Sequence, residues 1–398
     1  MRFALIADTF PPLRTSGAVQ LRDLSREFAR QGHELTVLLP SWEQAEDWRL
    51  EQMDGVQVLR LKSPRTKDIN YVQRTLAEFW MPFAMRRSLA RSPLKDQRWD
   101  GVVWYAPSIF HGPLAKHLKR QCDCPGYLIV RDIFPEWAVD MGLMGRGLPY
   151  QVFSAVARYQ YSVADVIGVQ TEGNRSYFSD WVTRPGRRLE VLQNWLGPAA
   201  TNACSIQLAG GPLAGRKVFV YAGNMGVAQG MDILLDLAAH WRDRKDVGFL
   251  FVGRGSEAGR LAKSATERGL DNVLFHDEIH PDEIPALYAQ CHVGLVALDQ
   301  RHKTHNIPGK FLTYMQSGLP VLARVNPGND LVGLIREQGV GRACEASDLP
   351  ALLAEAEQIL HDIDAKPDMQ ARCKNLFAQR FSAQAAVEQM VAALSGTK

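Results

Sequence analysis

Tyr221–Leu235 reads YAGNMGVAQGMDILL: the end of an apolar strand, a turn with glycines at 223, 226 and 230, and the apolar start of a helix. The core of the stretch, GNMGVAQG (Gly223–Gly230), has the glycine spacing of a phosphate-cradling turn. Backbone N–H groups at such a turn, with a helix N-terminus behind them, hold an anion without side-chain charge. A tight strand-to-helix turn is the plainer reading, because glycine often serves backbone geometry alone. Both readings make the stretch a βα unit, and both leave one question. The turn contains no lysine or arginine, so a cation for any anionic ligand must come from elsewhere.

Outward from this turn the chain repeats the same grammar. KVFVYAG, VGFLFVG, NVLFH, HVGLVAL and LPVLA follow one another with helical segments between, and the first half carries RFALIAD, ELTVLLP, VQVLRL, DGVVWY, GYLIV, DVIGV and LEVLQ. Short, fully apolar strands alternating with helices such as Gln20–Gln31 indicate parallel sheets covered on both faces. At 398 residues the chain exceeds the size of one ordinary core. Two doubly wound α/β domains are therefore expected: a Rossmann-like domain over 1–196, a Gly/Ala/Pro-rich linker over 197–215, and a second Rossmann-like domain over 216–380. A helix near Ala383–Leu394, in the segment 381–398, is apolar on one stripe and is expected to pack back on the first domain. Ligands of such sheets bind at the carboxyl ends of the strands, here in a central cleft that the two domains face.

Composition narrows the function classes. Hydrophobic residues at 46% and charged residues at 22% describe a folded protein, and a formal charge of +3 is too small to imply nucleic acid. The basic excess concentrates in Arg60–Arg98, with ten basic against three acidic side chains. Six cysteines without C-x-x-C spacing or a histidine partner pattern support neither a zinc site nor a disulfide framework, so a reducing cytosol is expected. No apolar run reaches the length of a membrane span. The VGRGSEAG stretch has glycines at 253, 255 and 259, which is not the G-x-G-x-x-G spacing of a dinucleotide fingerprint.

Taken in order, YAGNMGVAQGMDILL, FLFVGRGSE, VLFHDEIHPDEIPALYAQCHVGLVAL and NIPGKFLTYMQSGLPVLA resemble the donor-binding half of glycosyltransferase family 4, a GT-B fold. ADTFPPLRTSGAVQLRDLSREFARQGHELTVL is similar to that family's opening, and YLIVRDIFPEWAVDMGL resembles a signature of its bacterial polysaccharide branch, the WbuB-like O-antigen transferases. The likeness spans nearly the whole chain. It implies a retaining transferase that moves a sugar, an N-acetylated hexosamine or deoxyhexosamine, from a UDP-sugar to a polyprenyl-diphosphate-linked saccharide, with no metal required. No Asp-x-Asp metal signature is present.

The resemblance also assigns residues. Many family members hold the diphosphate with an arginine and a lysine on the first glycine turn, and Asn224 and Gln229 stand in those places here. The ribose-binding glutamate corresponds to Thr313, and a preceding glutamate to about His305. The missing charge is expected from the loop DQRHKTHNIPGK and the helix that follows it, with Lys310 as leading diphosphate ligand and Arg254 second. Arg301 and Lys303 are also read as solvated loop charges. Base contact is expected along the main chain near Ile279 and His280. Gly223, Ser16 and Gly17 offer backbone N–H groups, Ser16 being equally a helix N-cap. Arg131 and Asp132 align with a His-Asp pair of the family. Arg131 is expected to clamp a phosphate oxygen, and Asp132 and Glu136 to orient sugar hydroxyls or take the acceptor's proton, the alternative being an Arg131–Glu136 ion pair. His111 either touches the sugar or is a structural histidine.

Phe79, Trp80, Met81 and Phe83 sit among Arg74, Arg86, Arg87 and Arg91. Basic residues beside aromatics suit an anionic membrane surface, so 71–98 is expected to dock the protein peripherally on the cytoplasmic face of the inner membrane. Pro82 is expected to interrupt the helix, and the aromatics are alternatively core. Another GT-B chemistry, such as inverting transfer or nucleotide-sugar epimerisation, and a non-catalytic sugar-nucleotide binder remain as alternative functions.

Overall fold

The computed structural model describes residues 1–13, 15–140, 142–300, 307–345 and 348–396. The described chain divides into two compact units, one of Met1–Gly197 with Ala383–Lys398 and one of Pro198–Ser382.

The first unit runs β1 (Arg2–Ile6), α1 (Ser16–Arg30), β2 (Glu34–Ser41), β3 (Trp48–Met53), β4 (Val56–Lys62), α2 (Tyr71–Leu89) and β5 (Gly101–Ala106). It continues through α3 (Gly112–Cys122), β6 (Gly126–Val130), α4 (Glu136–Asp140), α5 (Leu148–Val163), β7 (Val166–Val169), α6 (Ser179–Val182) and β8 (Arg188–Val191). Its eight strands are ordered β3-β4-β2-β1-β5-β6-β7-β8, parallel except for β3, which pairs antiparallel with β4. The strands β5, β6 and β7 are buried along their whole length, as their unbroken apolar runs require when helices cover both faces. Order reverses between β1 and β5, so the carboxyl ends of those two strands mark the place where an open α/β sheet holds its ligand.

The second unit runs β9 (Lys217–Ala222), α7 (Asp232–His240), β10 (Val247–Val252), α8 (Ala258–Glu267), β11 (Val273–His276), α9 (Ile284–Tyr288) and β12 (Val293–Ala297). It closes with α10 (Gly309–Ser317), β13 (Val321–Arg324), α11 (Asp330–Gln338), β14 (Gly341–Cys344), α12 (Leu349–Ala365) and α13 (Met369–Leu376). Six parallel strands are ordered β11-β10-β9-β12-β13-β14, with the reversal between β9 and β12. The last helix, α14 (Ala383–Ser395), rejoins the first unit, where Val387, Met390 and Leu394 enter the core formed by Phe3, Leu24 and Phe28.

Three expectations are refined here. The stretch 197–215 is irregular but not loose. Cys204, Ile206, Leu208 and Leu213 are buried, and Gln290 accepts from the Leu208 N–H at 2.9 Å, so the segment from Pro198 on packs against the second unit. The helix α2 runs unbroken through Pro82, whose missing N–H leaves only the Glu78 carbonyl without its helical donor. The first sheet is not wholly parallel, because β3 returns on β4 as a hairpin over Asp54 and Gly55.

Candidate active site

In the second unit the Gly223 turn and the VGRGSE turn are built on each other. Gly223 N–H donates to the Val252 carbonyl at 2.9 Å, Met225 N–H to the Arg254 carbonyl at 2.7 Å, and Glu257 N–H to the Met225 carbonyl at 2.9 Å. Gly223, Gly253 and Gly255 all adopt strongly positive φ, and a Cβ at Gly253 or Gly255 would collide with the carbonyl of Gly223 or Met225. The glycines of VGRGSE therefore exist so that two turns can touch. Asn224 and Gln229 spend their side chains inside the turn: Gln229 Oε1 accepts from Gly226 N–H at 2.9 Å and from Asn224 Nδ2 at 3.4 Å.

A cation reaches this turn from α10. Lys310, in its first turn, reaches over the Tyr221 ring with Nζ 4.5 Å from the centroid, and its Cε lies 3.7 Å from where a Gly223 Cβ would stand. No ion pair or hydrogen bond joins this ammonium to another described residue. Burial pushes its pKa down to about 8. The first turn of α10 holds no acid, and Pro308 at its N-cap supplies no side-chain cap. By contrast α7, directly after the glycine turn, carries Asp232 in its first turn, bound by Arg260 at 2.7 and 2.9 Å. Of these two helix ends, α10 is the one poised for an anion.

The remaining second-unit positions line up as follows. Arg254 is exposed and pairs with Glu278 at 3.0 Å. Thr313 donates its hydroxyl to the Lys310 carbonyl at 2.8 Å, leaving it only acceptor capacity toward any ribose. Ile279 and His280 lie in the loop after β11, with His280 Nδ1 accepting from Asp282 N–H at 3.3 Å. Arg301, Lys303 and His305 lie outside the described residues.

In the first unit the candidate residues gather at the carboxyl ends of β1, β5 and β6. The helix α1 begins here, capped by Thr15, whose Oγ1 accepts from Ala18 N–H at 3.3 Å, so Ser16 is the first helical residue and not the cap expected of it. Gly17 brings α1 close to Thr9 and to the Tyr105 hydroxyl, 3.2 and 3.4 Å from where its Cβ would be. Tyr105 donates to Gln20 at 3.1 Å.

Arg131 overturns the expectation of a phosphate clamp. Its guanidinium is buried, donates from its two terminal nitrogens to the carbonyls of Leu192 at 2.7 Å and Gln193 at 3.4 Å, stacks 4.5 Å over the Trp195 ring, and leaves Nε enclosed without a partner. A fork so occupied ties the end of β8 to β6. The alternative Arg131–Glu136 pair is also not formed; Glu136 instead accepts from the Tyr150 hydroxyl at 3.4 Å. His111 is wholly enclosed, with neither ring nitrogen hydrogen-bonded, and burial lowers its pKa against the pull of Asp8, so it is neutral. Contact between His111 and a sugar is not available in this arrangement. Asp132 remains outward, its carboxyl pushed up by desolvation against the pull of Arg131.

Two acids escaped the sequence reading. Burial raises the carboxyl of Glu78 on α2, Arg74 opposes that at 2.8 Å, and Asp8, after β1, adds to the rise. Asp8 also raises the Tyr105 hydroxyl, behind burial, the opposing pull of Arg131, and Asp132. Asp8, Glu78 and Asp132 thus bring three carboxyl groups to this end of the sheet, two of them beside Arg74 and Arg131. An aspartate after the first strand is a readable signal, since the strand's carboxyl end is where ligands bind; Glu78 was hidden by the basic residues around it.

Two Rossmann-like domains in tandem, each with its polar residues at the carboxyl ends of its strands, define the GT-B class. The description "Glycosyl transferase 4-like domain" matches residues 16–195 and "Glycosyl transferases group 1" matches 216–362, together well over half of the chain. The chain belongs to glycosyltransferase family 4 and is a glycosyltransferase. It is 24% identical over 310 residues to the probable glycosyltransferase WbjE of Pseudomonas aeruginosa, covering 75% of this chain and 74% of that one. Over 386 residues it is 22% identical to WcaI of Escherichia coli, a putative colanic acid biosynthesis glycosyl transferase, covering 90% and 89%. Its fold is similar to that of HepE from Anabaena, solved in complex with UDP, with a TM-score of 0.67, 15% identity and full coverage of both chains.

Proposed function

We propose that the protein is a retaining glycosyltransferase of bacterial surface polysaccharide synthesis, moving a sugar from a UDP-sugar to a polyprenyl-diphosphate-linked saccharide. The observation that carries it is Lys310: an ammonium without a counter-charge among the described residues, on a helix N-terminus, against a glycine turn. A diphosphate supplies the charge this place lacks. HepE was solved with UDP and WcaI is named for colanic acid synthesis, which supports the donor and the pathway class. The preference for an N-acetylated hexosamine or deoxyhexosamine rests on the likeness of RDIFPEW to O-antigen transferases.

In this reading the second unit binds the donor. Lys310 and the backbone N–H groups of Gly223 and the α10 terminus take the diphosphate, Arg254 is released from Glu278 to join them, and the main chain at Ile279 and His280 meets the base. Thr313 accepts a ribose hydroxyl. The bond from the sugar's anomeric carbon to the diphosphate breaks and a bond to the acceptor oxygen forms on the same face. The acceptor's proton passes to the departing phosphate oxygen, so no strong side-chain base is required. Stabilising the charge that grows on the leaving group is then the main catalytic contribution. Asp8, Glu78, Asp132 and Glu136 on the first unit offer carboxylates to the hydroxyls of an acceptor saccharide. In this reading the reaction runs on Lys310 and backbone dipoles, with no metal required.

Membrane docking through 71–98 is part of the proposal. Along α2, Met81, Pro82 and Met85 are buried, whereas Tyr71, Val72, Leu76, Trp80 and Phe83 are exposed, so the aromatics at 80 and 83 are not core. Arg86 and Arg87 close the helix. Exposed apolar residues beside cations suit an anionic bilayer, each cation adding about 1 kcal/mol there. No described helix is long and apolar enough to cross a membrane.

A nucleotide-sugar panel screened by thermal shift tests the donor, since a ligand of the native state alone raises the melting temperature. A uridine diphosphate sugar should stabilise most. The reading fails if no uridine nucleotide does, or if the product of the preferred donor and a polyprenyl-diphosphate saccharide has inverted anomeric configuration.

A further inference from the structure

A cavity of about 300 Å³ opens in the second unit, lined among others by Arg336, Arg342, Lys366, Arg372, Glu355 and Asp362. It lies at the amino end of β14, the edge strand, which runs parallel to β13, β12 and β9. The Gly223 and Gly253 turns stand at the carboxyl ends of the same sheet, so this cavity is at its opposite end.

Its charges do not cancel. Asp362, 2% exposed, accepts from Arg342 Nε at 2.8 Å, Lys366 Nζ at 2.9 Å and Gln358 Nε2 at 3.2 Å. Burial pushes that carboxyl up, but the bonds from Lys366, Arg342 and Gln358 prevail and hold it down at about 2. One carboxylate thereby answers two cations. Arg336 donates Nη2 to the Ala343 carbonyl at 3.1 Å and forms no ion pair with a described residue. Arg372 pairs through Nη1 with the exposed Asp368 at 3.2 Å, while its Nε is enclosed without a hydrogen-bond partner. At the C-cap of α11, Gly339 has φ +58°, and a Cβ there would stand 3.5 Å from the Arg372 guanidinium carbon. Four cations therefore share a cavity with two carboxylates, beside an orphaned guanidinium N–H.

We propose that this cavity binds the phosphate monoester of a small polyhydroxylated molecule, with the forks of Arg336 and Arg372 on the phosphate and Glu355 accepting from a hydroxyl. Planar guanidinium forks match phosphate oxygens bidentately, and a carboxylate beside them discriminates a sugar phosphate from a bare anion. The volume is at the small end of ligand pockets, which suits a hexose phosphate and not a nucleotide sugar. The inference does not depend on the donor reading.

Titration calorimetry of the full chain with glucose 6-phosphate and with inorganic phosphate tests it. Saturable binding is expected, tighter for the sugar phosphate. The Arg336→Gln/Arg372→Gln double variant should weaken it about tenfold or more, and Glu355→Gln should erase the preference for the sugar phosphate. Arg342 and Lys366 are left intact, because removing either strands the buried charge of Asp362. Lys310→Ala should leave this binding unchanged. The proposal is overturned if neither probe gives saturable heat, if the double variant binds like the parent, if Lys310→Ala abolishes the heat and so assigns it to the glycine turn, or if Glu355→Gln leaves the preference intact.

Discussion

Arg131 and Lys310 are both cations drawn into protein at the carboxyl ends of parallel strands, one in each unit, and they end in opposite states. Arg131 gives its two terminal nitrogens to backbone carbonyls and its face to Trp195, so that of its guanidinium nitrogens only Nε stays enclosed without a partner. Lys310 lies over Tyr221 with no described counter-charge, and its pKa falls to about 8. A buried cation costs desolvation whether or not it is paired, and satisfaction by the fold recovers that cost at once. Where the fold leaves it unrecovered, a ligand can recover it. Arg131 thus reads as a structural tie and Lys310 as a binding group, although the sequence motif around Arg131 is the more conspicuous of the two.

Replacing each by alanine is the most direct way to break this contrast. Arg131→Ala orphans the carbonyls of Leu192 and Gln193 and loses the stack on Trp195, and should cost about 3 to 4 kcal/mol of stability in denaturant unfolding. If Arg131→Ala folds with parental stability and loses only UDP affinity, the roles assigned to the two cations are reversed. Next in size is Gly253→Ala, which forces a Cβ into the Gly223 carbonyl at positive φ and should cost about 2 to 3 kcal/mol while also weakening UDP binding, because the two turns move together. Weakened stability with unchanged UDP affinity would separate the turn from the donor site.

This contrast marks how far the sequence could be read. The twelve apolar runs all became strands; those such as β5, β6 and β10 are buried on both faces and announce themselves by composition, while β8 and β11, at the sheet edges, are partly exposed and were legible from short apolar runs alone. The strand β3, WRLEQM, is half-exposed and alternates with charge, and β14, GRAC, has four residues at a sheet edge, so neither carries that signal. A lysine in the first turn of a helix after NIPG is legible as a local pattern, but its approach to the Gly223 turn, more than eighty residues earlier in the chain, appears only in the fold. The inward turn of Arg131 was not legible either, since Leu192, Gln193 and Trp195 lie more than sixty residues away and only folding brings them to it. Glu78 was missed for a similar reason: it sits in a stretch whose composition reads as basic and aromatic, and only the register of α2 sends it toward Asp8.

Lys310→Ala should change stability by less than about 1 kcal/mol, because a lost desolvation cost offsets lost packing on Tyr221, yet weaken UDP binding by about 2 kcal/mol, some thirtyfold, as expected for one charge-assisted contact. Calorimetry with UDP reads the second quantity. An affinity within a few-fold of the parent would remove Lys310 from the site.

One further effect, spread over the pH axis, distinguishes a titrating cation from a permanent one. In the native protein Lys310 loses its proton near pH 8, against a usual value near 10.5 in the unfolded chain. Between those values the unfolded state binds more protons, so raising the pH through this window stabilises the native fold through this group. Binding runs the other way. A diphosphate needs the ammonium, and each pH unit above 8 adds up to about 1.4 kcal/mol for taking up the proton, a tenfold loss of affinity per unit until the bound-state pKa is reached. UDP affinity measured from pH 7 to 9.5 should therefore be flat to about 8 and then decline. In Lys310→Arg, whose cation does not titrate in this range, the decline should vanish. A parent whose affinity is level across the window, or an arginine variant that declines as steeply as the parent, would mean that the diphosphate is held by the backbone of the glycine turn and not by this ammonium.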